Sequence, residues 1–279
     1  MSNSIRVVEE EKGRESSVTR IRQLFQDSSI KNKVIIIVEG PTDVEIYKPL
    51  FLQTEVYIHT LSIRFHDYVL QSLYGDYSTK LISVKDADFC WVNGLTPTAP
   101  NMFITDAHDL ETMMINSGAL ANLSAVYPGL LDNLDALALC GVLVDYSYMK
   151  WYNYNNHTKL AFDKLSTINL YETGLLSNCQ LLFSEVCNHS PSHIALFDDF
   201  NSFRISHMCP DIMCITNGHD LMDCIYFEMQ KKKCGNLSKR KVLKTFYSGY
   251  SIQLFKTTNL FSSIADWAIN NNRNLFVAS

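Results

Sequence analysis

A continuous β-branched run at residues 34–38, Val-Ile-Ile-Ile-Val, constrains the fold of this chain more than any other feature. A strand that is apolar on both faces suits a buried central position in a parallel sheet. Glu39 and Gly40 follow the run directly, and a helix is predicted over 44–52, so the chain turns sharply at the end of the strand. The sequence therefore predicts an α/β fold built around this strand.

Strands and helices alternate through the first part of the chain. Further strands are predicted at 55–60, 81–84 and 101–104, with a helix at 64–73. Such alternation is typical of a parallel sheet flanked by helices. Later in the chain, an apolar run at 210–215 predicts another buried strand. Helices are predicted after it, to about residue 229, at 238–248 and at 257–270.

The 279 residues suffice for one large domain or two small ones. Four segments are predicted: an N-terminal helical segment at 1–30, the first part of the sheet core at 31–116, a mostly helical insertion at 117–205, and the last core strand with C-terminal helices at 206–279. The leading helix is indicated by Val18, Ile21, Leu24 and Phe25 at helical spacing.

Composition limits the classes of partner. The net charge is −5, which argues against a chain coated in positive charge for general DNA binding. The longest apolar run covers 137–144, whereas a membrane-spanning helix needs about 20 residues, so we expect no membrane span. The charged N-terminus lacks the apolar core of a secretory signal. We therefore expect a cytoplasmic protein whose eight cysteines are reduced thiols.

Acidic residues follow three of the predicted strands. Glu39 follows the first, Asp86 and Asp88 follow the third, and Asp106 follows the fourth. In open α/β sheets the carboxyl ends of the strands form the ligand site, so these carboxylates are expected to converge. Carboxylates that hold Mg²⁺, with Mn²⁺ as a substitute, suit the hydrolysis of a phosphodiester, because the metal offsets the charge of the transition state.

The same motifs resemble a known family. Val-Ile-Ile-Ile-Val-Glu39-Gly40-Pro-Thr-Asp43, followed by Asp86-Ala-Asp88-Phe, resembles the TOPRIM domain, a Rossmann-like metal-dependent fold of topoisomerases, bacterial primases and OLD-family nucleases. The strings Thr105-Asp-Ala-His-Asp-Leu-Glu111 and Gly218-His-Asp-Leu221 resemble a narrower branch that is encoded beside ABC-type ATPases. That branch includes the nuclease effectors of the PARIS anti-phage defence system.

The resemblance implies a role for each matched residue. It makes Glu39 the catalytic acid/base and a metal contact, and it makes Asp86 and Asp88 ligands of a divalent metal. It also implies a toxic effector that a partner ABC-type ATPase restrains and that, once released, dimerises and cleaves host tRNA. Two rival functions stay open: an OLD-type DNA nuclease, and a non-catalytic TOPRIM-like module that regulates its ATPase.

Four neighbouring residues are further candidates for the site, and the roles of three of them stay open. Asp106 and Glu111 either join the metal site, or cap the next helix and lie on its exposed first turn. Asp43 is interpreted as a helix N-cap that supports the site. His108 either orients a phosphate or, as its repetition at His219 favours, is a buried histidine that bonds a backbone group at a strand–helix corner.

A basic run and an aromatic segment are the remaining candidates. The basic residues of the run can contact an RNA backbone or an acidic partner surface: Lys231, Lys232, Lys233, Lys239, Arg240, Lys241 and Lys244. The aromatic segment at 146–154 can stack on unpaired bases, but more often such a segment packs in a core or subunit interface. We expect a free homodimer, closed by this segment and by the helices after residue 238.

Overall fold

The computed structural model describes residues 2–233 and 236–278, with the backbone alone for residues 2–9. The chain divides into two compact units. The first comprises the residues up to 86, residues 96–106 and the residues from 250 onward. The second comprises residues 87–95 and 107–249.

The strands of the described residues are β1 (Val34–Val38), β2 (Val56–Thr60), β3 (Leu81–Lys85) and β4 (Met102–Ile104). The α-helices there are α1 (Ser2–Gln26), α2 (Pro41–Tyr47), α3 (His66–Tyr77), α4 (Leu110–Asn116), α5 (Leu120–Val126), α6 (Ala136–Asn156), α7 (Thr167–Glu172), α8 (Cys179–Asn188), α9 (Phe197–Ser206), α10 (Gly218–Lys232), α11 (Lys239–Ser248), α12 (Ile252–Phe255) and α13 (Asn259–Asn270). Short 3₁₀ helices lie at Lys48–Leu50, Ile63–Phe65, Leu175–Ser177 and Ile212–Cys214.

The first unit contains a parallel sheet with the strand order β2-β1-β3-β4. Val38 of β1 pairs with Thr60 of β2, and Ile37 pairs with Ser83 of β3. β1 thus has a neighbour on each side, and all five of its residues are buried. This confirms the central strand of a parallel α/β sheet that the β-branched run predicted, and the sheet is consistent with a Rossmann-like fold.

Helices cover the sheet of the first unit. Val18, Ile21 and Phe25 of α1 are buried in one cluster with residues of α3 and of the sheet. Phe25 stacks on Tyr77 with ring centroids 4.0 Å apart. Burying a side chain of this size contributes about 1.5–3 kcal/mol, so the predicted leading helix is an integral part of the core.

The second unit is helical and is organised around α6. This helix contacts α8, α9 and α10. Tyr146, Trp151 and Tyr152 of α6 are buried in the unit, and the ring of Tyr152 packs edge-on against Phe200 at 5.7 Å. The aromatic segment is therefore mainly core, the alternative that its composition favoured. These three side chains are not available to close a homodimer.

The strand predicted at 210–215 is wrong. Asp211 accepts a hydrogen bond from the N–H of Met213 at 2.9 Å and begins the 3₁₀ helix that occupies this segment. Met213 and Ile215 of this segment are still buried, and Met213 packs against a helix, because it contacts Cys140 of α6. Within the described residues, β4 is the last strand of the sheet, so the segment from 206 onward supplies helices and no core strand.

Among residues 2–233 and 236–278, no helix combines the length and the apolar character that a membrane-spanning segment requires. The seven cysteines of these residues are free, as expected, while Cys234 lies outside the described residues. Burial raises the pKa of the Cys224 thiol to about 12 and that of Cys140 to about 11. These thiols are therefore protonated and unreactive at neutral pH.

Candidate functional site

Three carboxylates follow three adjacent strands of the first unit. Glu39 follows β1 directly, Asp86 follows β3 directly, and Asp106 lies two residues beyond β4. β1, β3 and β4 are parallel neighbours, so their carboxyl ends lie at one edge of the sheet. This edge is where open α/β sheets bind their ligands. The three strand ends that carry Glu39, Asp86 and Asp106 thus lie at one edge, and the convergence of their side chains on one ligand stays a prediction.

The turn after β1 is fixed by a capping interaction. Gly40 is the N-cap of α2, and its N–H donates a hydrogen bond to Oδ2 of Asp43 at 2.9 Å. The prediction that Asp43 is itself the N-cap is wrong, since Asp43 lies three residues into the motif. The bond fixes the conformation of the turn. It therefore also fixes the position of the exposed Glu39 at the end of β1.

Asp106 caps a helix, but not the helix that follows it. Its Oδ2 accepts the N–H of Asn259 at 2.6 Å, and its Oδ1 accepts the N–H of Leu260 at 2.8 Å. Both acceptors therefore engage the N-terminus of α13, whereas α4 is capped by Asp109. The carboxylate satisfies helix donors that would otherwise be unpaired and joins α13 to the end of β4.

Tyr47 lies close to these carboxylates, and no pattern in the sequence indicated that it belongs to the site. It lies at the end of α2 and is 2% exposed, and its hydroxyl has no hydrogen-bond partner among the described residues. Burial raises the pKa of Tyr47 well above its usual value, and the charge of Asp86 raises it further, with smaller contributions from Asp43 and Asp106. The hydroxyl therefore stays protonated and is an available donor close to these carboxylates.

The carboxylate oxygens at this edge are the type of ligand that Mg²⁺ prefers. Within the described residues, no group of three or more His, Cys, Asp or Glu side chains is arranged to hold a metal ion. Mg²⁺ keeps several of its waters and is commonly bound through one or two carboxylates. Glu39 and Asp86 fit an ion of that kind, whereas both oxygens of Asp106 accept helix N–H groups.

Asp88 belongs to the second unit. Its backbone is left-handed, with φ of 48°, a conformation that Asp tolerates better than most residues. Its N–H donates to the carbonyl oxygen of His108 at 2.7 Å. The strand therefore does not continue through Asp86-Ala-Asp88, and Asp88 lies in a turn closed by the hydrogen bond from the N–H of Cys90 to the carbonyl oxygen of Ala87 at 2.8 Å. Strained backbone of this type is concentrated at functional sites.

Asp109 is a buried connection between two helices of the second unit. It accepts hydrogen bonds from the N–H of Thr112 at 3.0 Å and from the N–H of Gly218 at 2.6 Å. Its Oδ2 also lies 3.3 Å from Nδ1 of His108. Burial alone would raise the pKa of Asp109, but the hydrogen bonds from these three residues lower it below its usual value.

Glu111 is buried as well, so the prediction of an exposed first turn is wrong. It is 5% exposed, accepts the hydroxyl of Tyr247 at 2.9 Å, and lies 3.7 Å from Nδ1 of His219. Burial raises the pKa of Glu111, and the charge of Asp109 raises it further. As a result, Glu111 is engaged by α10 and α11 of the second unit.

The two His-Asp-Leu strings are not equivalent corners. His108 is buried and packs edge-on against Phe89 at 4.9 Å, and its side chain contacts Asp109 rather than the expected backbone group. The His219 side chain is 71% exposed, so its predicted burial is wrong. Asn217 caps the second helix, three residues earlier in the string than Asp109 caps the first. The strings instead contact each other through Asp109 and Gly218.

The basic run divides into paired and unpaired residues. Lys231 pairs with Glu228, Lys232 donates to the carbonyl oxygen of Asp132, and Lys239 pairs with Asp223. Residues 234 and 235 lie outside the described residues. Three exposed residues of α11 have no ion pair among the described residues: Arg240, Lys241 and Lys244. The side opposite them is buried through Val242 and Phe246, so α11 presents a basic face.

Comparison with known proteins gives no relative. No protein-family model matches this chain, and no curated protein is significantly similar to it. Its function is therefore argued from the geometry above and from the motifs at the strand ends.

Proposed function

We propose that this chain is a Mg²⁺-dependent nuclease that hydrolyses phosphodiester bonds of RNA. The observation that carries the proposal is the position of Glu39 and Asp86, which follow adjacent parallel strands at the carboxyl edge of the sheet. The resemblance to the TOPRIM domain gives these same two residues the roles of acid/base and metal ligand. It adds Asp88 as a further ligand.

Each group has a distinct task in this reaction. A bound Mg²⁺ offsets phosphate charge and increases the acidity of a coordinated water. Asp86 would supply a hard oxygen ligand of the kind that this ion prefers, and by the resemblance Asp88 would supply another. Glu39 is exposed at the end of β1, where its carboxylate exchanges a proton with water or with the leaving oxygen. Tyr47 supplies a protonated hydroxyl close to the carboxylates of the edge.

RNA is supported as the substrate by the basic face of α11. Arg240, Lys241 and Lys244 are exposed without ion pairs among the described residues, so their charges are available to phosphates. A single local patch on a chain of net charge −5 suits the backbone of a structured RNA better than extended contact with duplex DNA. We infer that tRNA is the substrate, as the resemblance implies.

A nuclease of this kind requires restraint, for which we propose a partner ABC-type ATPase in a cytoplasmic anti-phage defence system. Release from the ATPase would allow the homodimer to form. The buried rings of α6 do not provide its surface. Five large exposed apolar side chains of the second unit lie instead between residues 181 and 208: Leu181, Ile194, Leu196, Ile205 and Met208.

The test uses the purified full chain with 5′-labelled tRNA, and with a single-stranded DNA of matched length. Removing a general acid/base typically costs about 10²–10⁴-fold in rate, so Glu39→Gln should lose at least about 100-fold. Asp86→Asn should require more Mg²⁺ for the same rate. Glu45→Gln is the matched control, because Glu45 is an exposed glutamate of α2 that does not follow a strand.

Each result has one interpretation. Full activity of Glu39→Gln, with unchanged Mg²⁺ dependence, refutes the assignment of the site. Cleavage of DNA but not RNA supports the OLD-type alternative instead. The absence of any cleavage with Mg²⁺ or Mn²⁺, by a chain that still binds its ATPase, supports the non-catalytic module.

A further inference from the structure

An open cavity of about 660 Å³ lies at the C-terminal end of α6 in the second unit. Three of the residues that line it are asparagines, and its lining consists of Asn93, Leu95, Asn153, Tyr154, Asn155, His157 and Lys159. Amides that offer both donors and acceptors, an aromatic ring and a cation are the groups that proteins use to bind unpaired nucleotides. None of these residues belongs to the carboxylate edge described above.

Tyr154 is the exposed exception in the aromatic segment. It is 46% exposed, whereas Tyr146, Trp151 and Tyr152 of the same helix are buried. Its ring is tilted against Phe89, with the centroids 5.2 Å apart. Phe89 therefore supports the tyrosine ring from within the unit, and a large part of the ring remains open to the cavity and to solvent.

The amides of the cavity are held in a fixed orientation. Nδ2 of Asn93 donates to Oδ1 of Asn155 at 3.0 Å, and Nδ2 of Asn155 donates to Oδ1 of Asn93 at 3.2 Å. The indole N–H of Trp151 also donates to Oδ1 of Asn93, at 2.8 Å. Each Asn Nδ2 keeps a second hydrogen, so the pair offers a preorganised polar edge to a ligand.

The loop after α6 places the cation of the cavity. His157 and Lys159 are exposed and both have left-handed backbone, with φ of 51° and 62°. Asn153 holds the loop by accepting the N–H of Leu160 at 2.9 Å and the hydroxyl of Thr158 at 2.8 Å. A non-glycine residue held in this region costs of order 1–3 kcal/mol, and such strain is concentrated at binding sites.

We propose that this cavity binds one unpaired nucleotide of an RNA strand. The base stacks on Tyr154, its polar edge bonds the amides of Asn93 and Asn155, and the adjoining phosphate pairs with Lys159. The proposal adds a substrate-binding site to the proposed nuclease. It rests on the proposed function for the assignment of the bound strand as RNA. By this proposal, the C-terminal end of α6 selects the substrate and takes no part in the cleavage reaction.

The cavity adjoins the segment that carries Asp88. Phe89 follows Asp88 directly in the chain, and its ring contacts both Tyr154 and His108. A base that stacks on Tyr154 is therefore one aromatic contact away from the turn that carries a proposed metal ligand.

Binding is measured with the full chain carrying Glu39→Gln, in EDTA, by the fluorescence anisotropy of a labelled single-stranded RNA octamer. Stacking on an aromatic ring contributes about 1–3 kcal/mol per base, so Tyr154→Ala should weaken binding about 5- to 150-fold, and Tyr154→Phe should restore it. Lys159→Gln should reduce the slope of log affinity against log salt by about 0.7. Tyr74→Ala and Lys164→Gln are matched exposed controls.

The outcomes separate this proposal from the nuclease function. Unchanged binding in Tyr154→Ala, or an equal loss in Tyr74→Ala, refutes the cavity even when the chain cleaves RNA normally. Binding that depends on Tyr154, in a chain that never cleaves, supports the cavity and refutes the nuclease. Free AMP is added as a competitor of the octamer. Displacement of the octamer by AMP at an equal concentration would identify a free nucleotide as the ligand and overturn the assignment to an RNA strand.

Discussion

Replacing Gly218 by alanine tests the close approach of α10 to α4. A Cβ at this position would lie 2.5 Å from Cβ of Glu111 and closer still to Oδ1 of Asp109. Cβ atoms essentially never approach other atoms so closely, so α10 has to move away from α4. That movement also stretches the 2.6 Å hydrogen bond between the N–H of Gly218 and Oδ2 of Asp109.

The expected cost follows from these two effects. Extra volume in a well-packed interior costs about 1–3 kcal/mol. Weakening a buried hydrogen bond to a charged group costs about 1.5–3 kcal/mol. Gly218→Ala should therefore lower the free energy of unfolding by about 4 kcal/mol, which for a unit of this size lowers the melting temperature by about 8–16 °C.

The assay is thermal unfolding followed by circular dichroism, with Gly141→Ala as the control. Gly141 lies within α6, is exposed, and has no atom within 4 Å of a Cβ built there. Its replacement should stabilise the helix by about 0.5–1 kcal/mol, because glycine is a poor helix former. The two substitutions should thus shift the melting temperature in opposite directions. An unchanged melting temperature in Gly218→Ala would show that the two helices are not in close contact.

Three further predictions concern charged groups. Glu111→Gln should raise the melting temperature more at neutral pH than at acidic pH, because burial raises the folded-state pKa of Glu111, so the ionised form destabilises the fold at pH values above its unfolded pKa. Asp106→Ala should cost about 1–2 kcal/mol through loss of the α13 cap, measured by chemical denaturation, and Asp106→Asn should cost less because it keeps one acceptor. Reversing Arg240, Lys241 and Lys244 to glutamate should weaken RNA binding and reduce its salt slope by about 2, measured by anisotropy.

Opposite results would be equally informative. If Glu111→Gln raises the melting temperature equally at low and neutral pH, the ionised carboxylate does not destabilise the fold. Equal stability of Asp106→Ala and the native chain, combined with a lost Mg²⁺ response, would make Asp106 a ligand rather than a cap. Unchanged RNA binding after the triple reversal, together with lost ATPase binding, would make α11 a docking face.

Local patterns predicted the sheet well because its strands are short apolar runs bounded by charged or turn residues. The β-branched run indicated β1 at the centre, and the acidic strand ends marked the edge at which Glu39 and Asp86 lie. The run at 210–215 gave the wrong element because burial against α6 produces the same apolar pattern as burial in a sheet. Apolar character reports burial, and it does not report which kind of element provides it.

Long-range contacts could not be predicted in this way. The bond between Asp109 and Gly218 joins residues 109 positions apart, and no periodic pattern encodes it. The only signal was the repeated His-Asp-Leu string, which was interpreted as two separate corners. Tyr47 is hidden for a different reason, since its importance lies in a hydroxyl without a hydrogen-bond partner among the described residues, which becomes visible only in three dimensions.

The discontinuous course of the first unit has a consequence for synthesis of the protein. Asp106 caps α13 across 154 positions of sequence, and the N–H of Leu52 donates to the carbonyl oxygen of Leu275 at 2.7 Å. The carboxylate edge therefore lacks two of its supports until the ribosome has made the residues from 250 onward, long after β1 to β4 have emerged. If the chain cuts RNA of the translation apparatus, this order of assembly delays the toxic activity until its own translation is nearly finished. Pulse-labelled nascent chains that end near residue 250 should accordingly be protease-sensitive and inert, even though they contain every proposed catalytic residue.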